Sequence, residues 1–313
     1  MTQAQQTLTT PSSAQTSVVA RRTSLFQWAR GTPLSIWLCL GVIAAFLLCG
    51  LLADLLAPHD PTAQNLRARL QPPVFAGGTS DHILGTDALG RDVLSRLIYG
   101  ARVSLLVGVA GMTIGLLVGG TLGLISGFTR GFVDDGLMFF VDVKLALPFL
   151  VIALTGVALL GRSLPVIVLL AGISGLGAYM RLARGMALGA REQPYILAAR
   201  SAGAGGGRLV GRHILPNVVA PLVVLATFNL TEVIFLESSL SFLGVGVKPP
   251  TPSWGSMLDE GRNYLHTAWW IGVFPGLAIV LITMAISLSG DWLRDVLDPA
   301  MKGTRGTKKV GDQ

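Results

Sequence analysis

Charged residues are scarce in this sequence. Asp, Glu, Lys and Arg make up 13% of its 313 residues, which is about half the share found in a typical soluble domain. Hydrophobic residues make up 51%, and several uncharged runs reach about 18 residues, the length of a transmembrane helix. We therefore expect an integral membrane protein in contact with lipid. Its net charge of +7 indicates basic loops that face the cytosol, rather than a nucleic-acid partner.

Catalytic and metal-binding motifs are also missing. The two cysteines, Cys39 and Cys49, lie ten residues apart in the first apolar run, a spacing that does not bring them to one face of a helix. The four histidines lie in separate segments, and no GxxxxGKS/T, GxGxxG, GxSxG or HExxH motif occurs. Those motifs are typical of nucleotide, dinucleotide, hydrolase and zinc sites. The sequence therefore predicts a non-catalytic chain with no disulfide, no metal site and no bound cofactor.

Six apolar segments predict an all-α fold of about six transmembrane helices. Among the few charges within them, Asp142 and Lys144 lie in the third segment, and Glu232 and Glu237 lie in the fifth. The segments cover residues 34–56, 103–128, 137–160, 163–180, 215–243 and 267–290.

These segments divide the chain into four regions. Residues 1–33 are rich in Ser, Thr and Gln, which predicts a disordered tail, and residues 34–102 hold the first transmembrane helix and an external loop. Residues 103–295 form a core of five transmembrane helices, which includes a cytosolic loop at 181–213. Lys and Arg are enriched in that loop and near both ends of the chain. Both termini, including the tail at 296–313, are therefore expected in the cytosol.

Glycine recurs at every fourth residue of the second segment, at Gly111, Gly115, Gly119 and Gly123. Residues at this spacing lie on one side of a helix, and small residues let two helix backbones approach closely in lipid. The stripe predicts tight helix packing, with a pore-lining role as the alternative. Because 3.6 residues complete one turn, a stripe of period four drifts slowly around the helix.

One basic stretch interrupts the apolar segments and contains an ordered motif. Residues 195–217 read YILAARSAGAGGGRLVGRHILPN. Leu197-Ala198-Ala199 is followed after three residues by Gly203, and after nine more by His213-Ile214-Leu215-Pro216. This pattern resembles the EAA loop of ABC importer permeases, in which Glu-Ala-Ala, Gly and Ile-x-Leu-Pro occupy those places. Leu197 stands at the Glu position and His213 at the first Ile position.

Other stretches are similar to the C-type permeases of dipeptide and oligopeptide importers. They cover residues 53–66, 82–105, 235–258 and 291–299, and the resemblance runs from about residue 25 to about residue 300. It implies the type I transmembrane-domain fold of ABC importers in the bacterial inner membrane. The implied substrates are dipeptides or oligopeptides, with nickel, opines or glutathione as alternatives. A stand-alone secondary transporter is the remaining alternative.

The resemblance also implies the partners. A homologous permease subunit would complete the pore as a heterodimer, and an extracytoplasmic binding protein would deliver the substrate. Two cytosolic ABC ATPase subunits would carry the ATP and Mg²⁺, and the loop would dock on them with Ala198 and Ala199 against the ATPase. The docking residues implied in this way are Pro194, Tyr195, Leu197, Ala198, Ala199, Arg200, Gly203 and Arg208.

The residues of the loop predict its local structure. Pro194 suits the first turn of a helix, and Gly203 can end that helix with a positive φ. The Gly205–Gly207 run predicts a flexible corner, because each glycine inside a helix costs about 1 kcal/mol relative to alanine. Pro216 is then expected to begin the fifth span, where its missing N–H costs little.

Acidic residues within a membrane segment usually face a cavity or a partner, because burying a charge in lipid is costly. Asn229, Glu232 and Glu237 are the candidate translocation-path residues. The alternative for Glu232 is a packing contact, and for Glu237 it is a hydrogen bond to a neighbouring helix or to the external loop. Asp142 and Lys144 are expected to reach the membrane interface.

A charged motif, LGTDALGRD, precedes the second span and contains Asp87, Arg91 and Asp92. Asp87 and Arg91 are four residues apart and would pair if the motif were helical. We expect an amphipathic element at the membrane interface rather than a binding site.

Overall fold

The computed structural model describes residues 32–297. The chain contains two units, Met1–Leu34 and Ser35–Gln313, and the first is described only at residues 32–34. The predicted tails at 1–33 and 296–313 lie almost wholly outside the described residues. Within those residues the regular structure is helical, apart from one isolated bridge between Thr86 and Asp92. The all-α prediction is confirmed for this range.

The helices follow one another along the chain with short connections, except between the second and third. They are α1 (Leu34–Leu51), α2 (Ala53–Leu56), α3 (Val93–Thr129), α4 (Phe132–Ala146), α5 (Phe149–Leu160), α6 (Leu164–Arg191), α7 (Pro194–Ser201), α8 (Gly206–Phe242), α9 (Trp254–Gly261) and α10 (Trp270–Leu297).

Five of these helices, α1, α3, α6, α8 and α10, are long and apolar enough to cross a membrane. The bent pair α4 and α5 makes a sixth crossing if it is counted as one span, which agrees with the predicted number. The first and last residues of two helices differ from the predicted ones. α3 begins at Val93 rather than at residue 103, because Arg96 in its first turns is buried against acidic partners. α6 continues to Arg191, well past the predicted end at residue 180.

The third predicted span, 137–160, is not one continuous helix. α4 ends at Ala146 and α5 begins at Phe149, and the two helices are bent by 94°. Pro148 explains the break, because it has no backbone N–H and disfavours helical geometry at the preceding residue. Leu147 is accordingly extended.

The bent pair nevertheless connects opposite ends of the helix bundle. On α4, Asp134 accepts a hydrogen bond of 2.8 Å from Arg184, near the end of α6. Just after α5, Arg162 donates to the carbonyl of Gly244, beyond the end of α8. Since the end of α6 and the end of α8 lie at opposite ends of the bundle, α4 and α5 together return the chain across it.

α3 and α6 pack closely along the glycine stripe. The four glycines face α6 in chain order, Gly111 at Ala171, Gly115 at Gly172, Gly119 at Leu176 and Gly123 at Met180. An added Cβ would lie 2.5 Å from the Ala171 Cβ at the first position and 2.7 Å from the Leu176 carbonyl oxygen at the third. The contacted residues advance as the glycines do, so the two helices run parallel. Within this subunit the stripe is a helix-packing surface.

A π-helical turn at Gly115–Gly119 keeps the stripe aligned with α6. Its i→i+5 hydrogen bonds fit more residues into a turn than an α-helix does, whereas the glycine period of four exceeds the α-helical 3.6. The wide turn therefore offsets the drift expected from the spacing. Contact persists as far as Gly127, where an added Cβ would lie 2.6 Å from the Arg184 carbonyl oxygen.

α8 begins earlier than predicted. The Gly205–Gly207 run, expected to be a flexible corner, forms the cap and the first residues of the helix. A Cβ added at Gly206 would lie 2.9 Å from the Phe128 ring, so glycine allows the helix start to pack against α3. The helix continues through Pro216, because a π-helical turn at Val210–Ile214 rearranges the hydrogen bonds just before the residue that lacks an N–H.

A buried apolar cluster ties α7 to the bundle. Ile196 of α7 is 1% exposed, and burial of such a side chain contributes about 1.5–3 kcal/mol. The cluster, which joins α3, α6, α7 and α8, consists of Leu124, Tyr179, Ala183, Ala187, Ile196, Leu209, Ile214, Val218, Leu222 and Ala226.

Candidate functional site

Pro194 and Gly203 set the ends of α7, the helix predicted from the EAA-like motif. Pro194 occupies the first position of the helix. Gly203 has a φ of +86°, a left-handed conformation that favours glycine. Its amide donates to the Arg200 carbonyl, and the amide of Ala204 donates to the Ala199 carbonyl, both at 3.0 Å. The local structure predicted for this segment is confirmed.

The two sides of α7 have different surroundings. Ile196 is buried, and Ala199 is half-buried and packs against the same cluster. Tyr195 and Leu197 are 47% and 50% exposed, and Ala198 beside them is also exposed. The i+3 spacing of Ala199 from Ile196 places it on the more inward side of α7, and its predicted contact with a partner stays a prediction.

The outward side of α7 combines apolar and basic side chains. Arg208, which follows in the first turn of α8, is exposed at the same end of the bundle. Exposed apolar groups rimmed by polar residues are typical of protein contact surfaces. We name the outward residues the docking face after their predicted contact with an ATPase, which stays a prediction: Tyr195, Leu197, Ala198 and Arg200.

One ion pair and one hydrogen bond join the end of α6, just before α7, to the end of α3. Arg130 contacts Glu192 at 3.0 Å, and Arg191 donates a 2.7 Å hydrogen bond to the Phe128 carbonyl. α7 follows this junction directly, and its own Ile196 packs in the apolar cluster with residues of α3 and α6. A displacement of α7 would therefore also move the packed residues of α3 and α6.

Five polar residues of α4, α6 and α8 meet about halfway along the bundle. The Tyr179 hydroxyl donates to Asn229 Oδ1, and Asn229 Nδ2 donates to Glu232 Oε2, each at 3.2 Å. The Lys144 ammonium donates to the Ser174 carbonyl, and Glu232 interacts electrostatically with Lys144. We call these residues the mid-depth cluster: Lys144, Ser174, Tyr179, Asn229 and Glu232.

The mid-depth cluster lies beside the break between α4 and α5. Leu147 and Pro148 at the break are exposed, and so is Glu232. At membrane depth, non-helical backbone is tolerated only where protein covers it or where it lines a water-filled cavity. An ionisable residue inside a span is likewise typical of a substrate path or a partner contact. The arrangement places a cationic and an anionic side chain, Lys144 and Glu232, within electrostatic range of each other beside the break.

Sequence reasoning identified two of the five residues of this cluster as candidates for the translocation path. Asn229 and Glu232 were candidates, and their role in a translocation path stays a prediction. Lys144 was expected to reach the membrane interface, but its ammonium bonds to a carbonyl of α6 and lies 5.2 Å from the Phe149 ring centroid. The break explains this difference, because Lys144 falls in the last turn of α4, where a cation is stabilised by the helix dipole. Asp142 pairs with Arg181 at 2.6 Å on the exposed surface.

Glu237 lies apart from the mid-depth cluster. It is buried, and its carboxylate accepts hydrogen bonds from Ser104 of α3 and from Ser241. This is the hydrogen-bonded arrangement that the sequence left open as the alternative to a place in the translocation path.

Two families match the chain. Residues 36–73 match the N-terminal TM domain of oligopeptide transport permease C. Residues 119–303, more than half of the chain, match the binding-protein-dependent transport system inner membrane component. The chain belongs to this permease family. The resemblance predicted from the sequence is thereby confirmed, together with the inner-membrane location. Membership of a binding-protein-dependent system removes the alternative of a stand-alone secondary transporter.

Curated relatives cover most of the permease. It is 46% identical over 255 residues to the di/tripeptide transport system permease protein of Pseudomonas aeruginosa, covering 81% of this chain and 84% of that protein. It is also 46% identical over 261 residues to the dipeptide transport system permease protein of Escherichia coli, and the match covers 83% of this chain and 87% of that protein. These relatives are transport permeases, in agreement with the non-catalytic role predicted from the missing motifs.

The fold is similar to that of a solved ABC transporter. An inward-facing structure of the MetNI methionine ABC transporter superimposes with a TM-score of 0.50, covering 65% of this chain and 96% of that chain. Since the sequences are only 18% identical, this likeness concerns the fold alone. It supports an ABC transporter membrane fold for the permease.

The LGTDALGRD motif forms an ion network at the opposite end of the permease from α7. Arg91 Nε lies 2.7 Å from Asp87, and Arg91 Nη2 lies 2.7 Å from Glu260 of α9. Arg96 contacts the same two acids, at 2.9 Å from Glu260 Oε1. The predicted Asp87–Arg91 pair is present, but the two residues lie in a non-helical turn, and they share a network with Arg96 of α3 and Glu260 of α9.

Charge pairing dominates the ionisation of Asp87 in this network. Burial raises the pKa of the Asp87 carboxyl, but the charges of Arg96 and Arg91 outweigh burial and hold the pKa below its ordinary value of 3.8. Glu260 was not identified from the sequence, because 169 residues separate it from Arg91 and no local pattern links them.

Proposed function

We propose that this permease forms one half of the pore of an ATP-driven importer of short peptides. The di/tripeptide and dipeptide permeases at 46% identity support this substrate class. A homologous permease completes the pore as a heterodimer, two ABC ATPases bind ATP and Mg²⁺, and an extracytoplasmic binding protein delivers the peptide. Nickel, opines and glutathione are the alternative substrates of the same architecture.

The mid-depth cluster is the observation that carries this proposal. A short peptide at neutral pH has an ammonium at one end and a carboxylate at the other. Glu232 and Lys144 are complementary to those two charges, and Asn229 and Tyr179 offer hydrogen-bonding groups to a peptide bond. Charges interact more strongly away from bulk water, so two opposite charges at this depth favour a zwitterionic solute over an apolar one.

The docking face connects the ATPases to the mid-depth cluster through contacts between side chains. The exposed side of α7 binds an ATPase, while Ile196 on its other side is fixed in the apolar cluster. That cluster contains Tyr179, which bonds to Asn229. Movement of α7 on ATP binding thus reaches the mid-depth cluster through packed side chains, and opens the path to one side or the other.

Orientation follows from the basic residues around α7. Lys and Arg are concentrated in residues 181–213, which supports the proposal that α7 and both termini lie in the cytosol. Ser80 and Ser201 are exposed at opposite ends of the bundle. In a chain without Cys39 and Cys49, Ser80→Cys should react with an impermeant maleimide in intact cells, and Ser201→Cys should not. The reverse pattern would invert the topology.

Uptake by the complete transporter in proteoliposomes tests the assignment of the two charges. The substrates are a dipeptide, its N-acetylated form and its C-terminal amide, and each uptake rate is divided by the wild-type rate for that substrate. This ratio cancels the preference of the binding protein. Glu232→Gln should reduce uptake of the two substrates with a free ammonium about tenfold, the effect of losing about 1.4 kcal/mol. Lys144→Gln should reduce uptake of the two with a free carboxylate.

Asp81→Asn supplies the control, because it removes one charge from an exposed loop residue outside the cluster. It should leave all three ratios near one. Equal reductions for all three peptides in Glu232→Gln and Lys144→Gln would show that the cluster only supports the structure. The proposal that its two charges recognise the ends of a peptide would then fail.

A further inference from the structure

Three side chains from separate segments meet at the end of the bundle where α3 begins. His59 follows α2, His82 lies in the long loop after it, and Asp92 is the N-cap of α3. One candidate ligand atom from each lies within 4.8 Å of the other two. His82 Nδ1 is 2.9 Å and His59 Nδ1 is 4.0 Å from the same oxygen, Asp92 Oδ1.

We propose that His59, His82 and Asp92 bind a divalent transition-metal ion of the zinc class. Imidazole nitrogen and carboxylate oxygen are zinc ligands, and three protein ligands with one open position are a common arrangement. Zinc bonds of about 2.0–2.1 Å place tetrahedral ligand atoms about 3.3 Å apart. The spacing of His82 and Asp92 is already close to that value, and a small movement of His59 completes the set.

The surroundings of Asp92 leave one oxygen available to the ion. Asp92 Oδ2 accepts hydrogen bonds from the Ser95 amide and the Ser95 hydroxyl, each at 2.8 Å. Asp92 Oδ1 faces the two imidazoles instead. Hydrogen bonds of this kind orient metal ligands and are commonly found around metal sites. The His59 backbone is held at the same place, since its amide donates to Ser95 Oγ at 3.0 Å.

A hydrogen bond between His82 and Asp92 explains only part of this geometry. The His59 ring also turns towards the pair, with its centroid 4.9 Å from that of His82, although its side chain makes no hydrogen bond within residues 32–297. His59 is 42% exposed, whereas Asp92 is 1% exposed. The site is therefore open to solvent on the His59 side and rigid on the Asp92 side, as an ion-binding site requires.

Bound metal would cross-link three parts of the chain. Residues 59 and 82 bracket the long loop between α2 and α3, and residue 92 begins α3. The ion would therefore hold this loop against the bundle at the end opposite α7. The sequence predicted no metal site because its histidines lie in separate segments, and only folding brings two of them together. This inference is independent of the transported solute.

Metal titration of the tag-free, full-length permease in detergent tests the site. After treatment with EDTA, the protein is titrated with Co²⁺, whose visible absorption reports tetrahedral coordination, and then with Zn²⁺ as competitor. One Co²⁺ per chain should bind and be displaced by Zn²⁺. His59→Ala should weaken Co²⁺ binding at least about tenfold, the lower end of losses seen when metal sites are altered. His82→Ala should do the same.

His266→Ala is the matched control, because His266 is an exposed loop histidine outside the cluster. It should bind Co²⁺ like the wild type. The melting temperature without metal should be unchanged in His59→Ala, and Zn²⁺ should raise it in the wild type but not in that variant. Wild-type protein that binds no Co²⁺, or His59→Ala protein that binds it as tightly as the wild type, would overturn the proposal.

Discussion

The hydroxyl of Ser104 on α3 donates a 2.9 Å hydrogen bond to the carboxylate of Glu237 on α8. The other carboxylate oxygen accepts a 2.8 Å hydrogen bond from Ser241, and Glu237 is 1% exposed. A buried carboxylate is costly unless its oxygens are hydrogen-bonded. The two hydroxyls therefore make Glu237 a polar joint between helices that are otherwise packed through apolar side chains.

Ser104→Ala should destabilise the permease by about 1–3 kcal/mol, because it leaves a buried acceptor without its donor. Ser239→Ala is the control, since Ser239 is exposed on α8, the helix of Glu237, and its hydroxyl donates to the Phe235 carbonyl of that helix. The unfolding temperature of the purified chain measures both effects. An unchanged unfolding temperature in Ser104→Ala, with altered selectivity for charged peptides, would assign Glu237 to the translocation path instead.

Ala198 and Ala199 are neighbours that the fold separates, so they form a matched pair. Ala198→Glu places a charge on the docking face and should abolish co-purification of the ATPases without lowering the stability of the permease alone. Ala199→Glu should lower that stability, because the charge enters the half-buried side beside Ile196. Arg200→Ala should have a small effect, since exposed charges contribute little.

Pull-down of the ATPases and the unfolding temperature of the isolated permease distinguish the two variants. If Ala198→Glu still retained both ATPases and still supported uptake, α7 would not be the element that couples the permease to ATP hydrolysis.

Gly119→Ala and Gly185→Ala should change stability in opposite directions. A Cβ at Gly119 would lie 2.7 Å from the Leu176 carbonyl oxygen, whereas no atom lies within 4 Å of one at Gly185. Overpacking costs about 1–3 kcal/mol, while alanine in place of an exposed helical glycine stabilises by about 1 kcal/mol. Thermal unfolding in detergent measures both. Equal stability of the two variants would show that the α3–α6 contact is looser than the distances indicate.

The Asp87 network predicts a specific response to acid. The folded-state pKa of Asp87 lies below its ordinary value of 3.8, so its contribution is fully present above that value and is lost as the pH falls through the lower folded pKa. The unfolding temperature should therefore not depend on Asp87 ionisation between about pH 5 and about pH 8. A loss should begin only below about pH 4.

We compare curves of unfolding temperature against pH. Asp87→Asn should lower the unfolding temperature at neutral pH, and its curve should lack the loss that begins in the wild type below about pH 4. Asp81→Asn changes an exposed carboxylate of the same loop and should leave the curve unaltered. An Asp87→Asn curve parallel to the wild type down to about pH 3 would mean that the network does not depend on the charge of Asp87.

Properties that depend on neighbouring residues were predictable from the sequence. Long apolar runs identified the membrane class, because the cost of placing a segment in lipid depends on its own composition. Pro194 and Gly203 located α7, because each acts on its own backbone conformation. The glycine spacing located the face of α3 that packs, although it did not show which helix lies against it. The family resemblance rested on motifs of the same local kind.

Contacts between distant segments were decided only by the tertiary structure. The break at Pro148 places Lys144 beside α6 and close to Glu232, and the inward turn of Ile196 directs Ala199 away from the docking face. Arg91 meets Glu260 across 169 residues. The sequence alone determined that the chain crosses a membrane and where α7 lies. Which charges meet was decided by packing, because an ion pair depends on the distance between two atoms and not on their separation along the chain.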